Sequence, residues 1–111
     1  MANGRLARSI ISTASTNTLV YTVPNGYYSV LNILAVNSSP GSVQCRIAVS
    51  TQTNNSPISS EYIEYNVTIP AVNGVLERTA IVCSPGEKII VWVNAANAVT
   101  IRINGYEESL N

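Results

Sequence analysis

The side chains able to do chemistry are few and of few types. All six acidic residues are Glu (Glu61, Glu64, Glu77, Glu87, Glu107 and Glu108), the basic ones are Lys88 and five Arg, and there are six Tyr and two Cys. His and Asp are absent. Their absence rules out a Ser-His-Asp triad, a Cys-His pair, a His-ligated metal and an Asp-built magnesium or calcium loop. Glu61 and Glu64 are separated by Tyr62 and Ile63, so on a strand they face opposite sides and cannot form an acid–base pair. Glu107 and Glu108 are adjacent near the C-terminus, where a dry pocket around a carboxylate is not expected. Cys45 and Cys83 have no neighbouring base and no Cys-x-x-Cys spacing. Both lie in apolar, strand-like runs and read as buried free thiols rather than a disulfide. The Gly-containing turns precede no helix, so they are not phosphate loops. The residues therefore point to a protein that is not an enzyme and holds no cofactor and no metal.

Aromatic side chains offer a different chemistry, stacking on sugar rings. Tyr27 and Tyr28 follow a turn, Tyr62 and Tyr65 are expected on opposite faces of a strand, and Trp92 sits mid-strand as core or interface. An aromatic sugar platform is thus the lesser reading. Charged residues are only 11% of the chain and balance to zero, against a usual share of about 25%. No general field favours phosphate backbones, so no nucleic-acid partner is expected. Arg5 and Arg8 are the only charges before Arg46, and read either as a basic arm that docks on an acidic partner or as a solvated tail. The first ten residues lack the apolar core of a signal peptide, and no apolar run approaches the roughly 18 residues of a membrane span, so no membrane partner is expected. Three Asn-x-Ser/Thr triplets, at Asn37, Asn54 and Asn66, read as chance in a chain with 13 Asn, 13 Ser and 9 Thr.

These side chains must be positioned by strands, because helical periodicity is missing and Val and Ile number 13 and 12. Turn signals at Val23-Pro24-Asn25-Gly26, Ser39-Pro40-Gly41, Val72-Asn73-Gly74 and Ser84-Pro85-Gly86 divide the chain, and Asn73-Gly74 is the strongest hairpin signal. Between them lie Leu19–Val23, Tyr27–Asn37, Val43–Ser50, Glu61–Ile69, Val75–Cys83, Lys88–Asn94 and Ala98–Asn104. Arg5–Ser12 is a candidate eighth stretch. Seven to eight short strands with frequent turns predict an all-β fold, a single antiparallel β-sandwich or jelly roll. The expected organisation is an extended N-terminal arm over residues 1–17, a sandwich over 18–108 and a short tail over 109–111. Thr51–Ser60 is a polar, uncharged loop and a natural exposed contact.

Most stretches alternate in the manner of half-buried strands: Val43, Cys45, Ile47 and Val49 oppose Gln44, Arg46 and Ala48, and Ile63, Tyr65, Val67 and Ile69 oppose Tyr62, Glu64, Asn66 and Thr68. Two are apolar on both faces. Leu34 and Val36 back Leu31, Ile33 and Ala35, and Ile90 and Trp92 back Ile89, Val91 and Val93. A two-layer domain has one interior, so the second face needs a second cover, either the chain's own arm or another subunit. The partner-binding expectation is therefore Arg5, Arg8, Ile10, Ile11, Leu34, Val36, Ile90 and Trp92.

Several blocks also resemble a family. Leu-Val-Tyr-Thr-Val-Pro-Asn-Gly (19–26) with Val-Leu-Asn-Ile-Leu-Ala-Val-Asn (30–37) is similar to the opening of small virion proteins of tailed bacteriophages of the cyanobacterial and marine type. Glu61-Tyr62-Ile63-Glu64-Tyr65, Asn73 to Thr79, Ser84 to Lys88 and Asn104 to Glu108 resemble its later blocks in the same order. The chain departs at Asn25, Tyr27 and Tyr106, where a small residue, Lys and Phe are the family's pattern. The resemblance implies a β-sandwich structural protein with no catalytic residues. It leaves the place on the particle open, and the leading expectation is a capsid decoration (cement) protein on the outer capsid surface of the virion, a homo-oligomer (a trimer) whose partner is the major capsid protein. A tail or neck component is the alternative, and a receptor- or glycan-binding module the second.

Overall fold

The computed structural model describes residues 3–110. Residues 1, 2 and 111, the outer ends of the expected arm and tail, lie outside the described range. The described residues fold into eight strands: β1 (Asn3–Ile10), β2 (Thr18–Thr22), β3 (Tyr27–Asn37), β4 (Val43–Ser50), β5 (Tyr62–Ile69), β6 (Gly74–Cys83), β7 (Lys88–Val93) and β8 (Val99–Ser109). A single 3-10 turn, Ser59–Glu61, precedes β5. The first sheet has the order β1-β8-β3-β6 and the second β2-β7-β4-β5, with every pairing antiparallel. All connections cross from one sheet to the other except β4–β5, which are paired neighbours in the second sheet. That order is the eight-stranded jelly roll of two interleaved Greek keys.

Alternation explains which residues fill the space between the sheets. Leu31, Ile33 and Ala35 of β3 and Val99, Ile101 and Ile103 of β8 meet Val43, Cys45 and Ile47 of β4 and Ile89, Val91 and Val93 of β7, all of them buried. One buried polar residue organises an end of the sandwich. Asn37, the last residue of β3, has no exposed surface. Its Nδ2 donates to the carbonyls of Gly41 (2.9 Å) and Ile69 (3.1 Å), and its Oδ1 accepts from Ser39 N (3.0 Å) and Ser39 Oγ (2.7 Å). The amide therefore ties the β3–β4 turn to the end of β5, satisfying its own polar atoms as burial requires.

Four expectations need correction. The N-terminal segment is extended, but residues 3–10 pair along β8 as an edge strand instead of standing clear as an arm. Ile11, expected at a partner surface, is fully buried in the core, and Ile11 N donates to the Val99 carbonyl at 2.9 Å. Ile90 is also buried, at 2% exposure, although it points away from the sandwich interior. Its cover is the chain itself. Leu19, Ile90, Ala48 and Tyr62 form one rung of the second sheet, and Lys88 Nζ donates to the Gln52 carbonyl, tying the start of the 51–60 loop to β7. The Asn73-Gly74 turn, finally, does not make a hairpin. Asn73 adopts the left-handed φ of 63° that such a turn requires, yet β5 and β6 belong to different sheets.

Candidate functional site

Two outer faces remain once the core is assigned. On the first sheet, four unbroken rungs run edge to edge. Ile10–Thr100–Val36–Val75 and Arg8–Arg102–Leu34–Glu77 point outward, while Ser9–Ile101–Ala35–Leu76 and Ala7–Ile103–Ile33–Arg78 lie on the inner side. A fifth pairing, Tyr106–Val30–Val82, adds a further outward apolar row. Ile10, Val75, Val82 and Tyr106 are each more than 40% exposed, and Leu34 and Val36 lie half-buried between their rung neighbours. The bulge between Arg5 and Ala7 puts both Arg5 and Arg8 on this outer face, beside Arg102. At the other edge, Asn32 Oδ1 accepts a 3.0 Å hydrogen bond from Ala80 N, at the bulge where Ala80 takes a φ of 57°. Arg78 reaches from the end of its inner rung to Glu64 of β5 at 3.1 Å and clasps the two sheets together.

The second sheet carries an aromatic group around one guanidinium. The Arg46 carbon lies 3.9 Å from the Trp92 ring centre and 4.4 Å from that of Tyr65, and the Tyr62 and Tyr65 rings meet edge to face at 5.0 Å. This corrects the expectation that Tyr62 and Tyr65 face opposite sides. In the β5 ladder, Tyr65 and Asn66 together oppose Arg46, with Ile47 paired to Glu64 and Cys45 to Val67. Asn66 takes a φ of 54° and accepts from Arg46 Nε at 2.7 Å, so this bulge turns Tyr65 away from the Val67 side, and a second shift, with Ile63 extra between the Ala48–Tyr62 and Ile47–Glu64 pairs, leaves Tyr62 and Tyr65 on one face. Pro57, Ser59, Tyr62 and Tyr65 line an open cleft of about 500 Å³ here.

The wall of that cleft is held by a carboxylate. Glu61 accepts from Thr51 N (2.9 Å), Thr51 Oγ1 (3.1 Å), Ser50 Oγ (2.8 Å) and Ile58 N (3.1 Å). These bonds, the Thr51 amide foremost, hold its pKa down at about 2. Glu107 is the second carboxylate with an unforeseen place. It is buried at 8% exposure because β8 runs on to Ser109, and its Oε2 accepts from the Tyr21 hydroxyl at 2.7 Å. Ser29 Oγ lies 2.7 Å from the same hydroxyl and donates to it, since Tyr21 has a single proton to give. Burial, reinforced by the Glu107 bond, pushes the Tyr21 pKa up to about 12. The trio joins β2 of one sheet to β3 and β8 of the other. The thiols of Cys45 and Cys83 are free and buried, with pKa values raised by burial to about 12 and about 11. Among the described residues no three metal-ligating side chains gather.

Of the eight residues expected to meet a partner, Arg5, Arg8, Ile10, Leu34 and Val36 share the outer face of the first sheet. Trp92 is on the opposite side of the molecule beneath Arg46, and Ile11 and Ile90 are buried. The sequence assigns no surface role to Val75, Glu77 or Val82: the first two share a face by alternation, but Val82 joins them only through the bulge at Thr79–Ala80. No model of a known protein family matches the chain, and neither does any curated protein.

Proposed function

We propose that the chain is a structural protein of a tailed-bacteriophage particle: a capsid decoration protein that sits on the outside of the shell as a homo-oligomer, with the major capsid protein as its partner. The observation that carries this reading is the outer face of the first sheet. Its rungs of Ile10, Val36 and Val75 and of Tyr106, Val30 and Val82 stay uncovered by the chain's own segments, unlike Ile90 on the other side. Two apolar rows, with Arg8, Arg102 and Glu77 and then Arg5, Asn104 and Asn32 on the rungs between them, suit docking on a protein surface that sets acidic groups among apolar ones. Stabilisation follows from linkage: a protein that binds the assembled lattice and not its dissociated parts shifts the balance toward the lattice. The test is occupancy on expanded shells lacking the protein. Val36→Lys, half-buried within the Ile10–Val75 row, is expected to weaken binding by about tenfold or more, a loss of about 1.4 kcal/mol, with the β-sheet circular dichroism unchanged. Undiminished occupancy overturns the docking face. A copy number on the scale of the capsid subunits supports decoration, whereas one on the scale of a few rings assigns the chain to the tail or neck.

The Tyr62–Tyr65 pair favours a second reading, a glycan-binding module. Arg46 covers one side of Tyr65, which is still 57% exposed beside an uncharged loop rich in Ser and Asn, a suitable platform for a pyranose ring. A positive glycan array abolished by Tyr65→Ala supports it; a blank array, or a signal that survives the substitution, removes it.

A further inference from the structure

We propose that copies of this chain join edge to edge, β1 of one copy adding to β6 of the next, so that the first sheet continues from molecule to molecule. β1 and β6 are the two edges of that sheet, each paired on one side only. The three antiparallel steps β1-β8-β3-β6 make β6 antiparallel to β1, so a second copy set beside β6 in the same orientation presents its β1 in antiparallel register. The four unbroken rungs then extend. Ile10 of the incoming copy meets Val75, Ser9 meets Leu76, Arg8 meets Glu77 and Ala7 meets Arg78.

The outward pairs are complementary. Ile10 and Val75, 49% and 53% exposed in the single chain, cover each other, and Arg8 and Glu77 bring opposite charges together on neighbouring strands. A symmetric β1–β1 pairing would instead set the Arg5–Arg8 edge against itself. The bulges define the length of the contact. One lies between Arg5 and Ala7 on β1 and the other at Thr79–Ala80 on β6, both at the level just past the Ala7–Arg78 rung. Charged, bulged edges deter indiscriminate strand addition, and here the two edges carry charges that answer one another. The contact is head-to-tail, so its rotation per copy decides between a closed ring and an open fibre. This self-association does not rest on the virion reading and is tested on the isolated chain.

Sedimentation velocity and native mass spectrometry at increasing concentration provide the test, with circular dichroism to confirm the fold of each variant. The wild-type chain is expected to assemble. R8E and E77R are each expected to weaken assembly by about tenfold or more, the charge-swapped R8E/E77R double variant to recover it, and an equimolar mixture of the two single variants to co-assemble. A wild-type chain that stays monomeric overturns the proposal, as do single variants that assemble normally or a folded double variant that does not recover.

Discussion

Glu61 and Glu107 show how much a carboxylate's surroundings decide its role. The first is spent on a loop. Its two oxygens take four hydrogen bonds from Ser50, Thr51 and Ile58 and close the β4–β5 hairpin, whose loop is an uncharged polar sequence. The Glu61 pKa lies near 2 in the folded loop and near 4.5 when the loop is open. The ordering it supplies is therefore complete above about pH 4.5 and fades as pH falls toward 2, because protonation removes the acceptor charge. Amide exchange at Thr51 and Ile58 is expected to be slow at pH 6 and to gain openings, after correction for intrinsic rates, as the pH falls below about 4.5. Glu61→Gln is expected to raise the opening at neutral pH and abolish that pH dependence. Equal protection of both amides across the range would show that the loop is held by something else.

At the scale of the strand, the period of two in the sequence located the elements and failed where backbone irregularities intervened. β3 and β4 occupy the ranges read from the sequence, since turn signals at 23–26 and 39–41 and the polar loop from Thr51 bound them and their inward positions alternate. β8 runs five residues past Asn104, the end of the last stretch read from the sequence, through Gly105, Tyr106, two Glu and Ser109. Two tertiary facts extend it. Gly105 has a φ of 154°, and a Cβ there would collide with the Val30 carbonyl on the neighbouring strand, so this strand position demands glycine. Two residues on, Glu107 finds Tyr21 across the sandwich. The bulges had a larger effect on the candidate sites. Each shifts the alternation by one residue, and their cause lies in cross-strand backbone pairing and in the left-handed conformations of Asn66 and Ala80, of which only the Asn is a sequence signal. Hence the outward faces of Leu34 and Val36 were legible, whereas the Tyr62–Tyr65–Arg46–Trp92 group and the shared face of Arg5 and Arg8 were not. Apolarity on both faces of β7 was read correctly as a need for a second cover. Ile90 finds that cover within the chain, on a rung with Leu19, Ala48 and Tyr62, neighbours that strand pairing brings together from segments far apart in the chain.

For the whole molecule, the interleaving of the two sheets has a mechanical consequence. Seven strand connections include six that pass between the sheets, so neither sheet can peel away with its own strands in sequence. The single core spans both, and the Glu64–Arg78 and Tyr21–Ser29–Glu107 contacts pin it at separate points. Such a body is expected to open cooperatively rather than sheet by sheet. The two thiols report on this directly, because Cys45 belongs to the second sheet and Cys83 to the first, and both are fully buried members of that core. Burial removes access and, with pKa values near 12 and 11, leaves little thiolate at pH 8 in the native state. Under conditions where reclosing is faster than alkylation, both thiols are expected to label slowly, with the same steep dependence on urea as the global transition. Fast labelling of Cys83 alone would mean that β6, the open edge on which the proposed self-association depends, detaches from β3 while the rest of the sandwich stays folded. Addition of a second copy to that edge should then slow the labelling of Cys83 as concentration rises, whereas in the cooperative molecule self-association slows both thiols together.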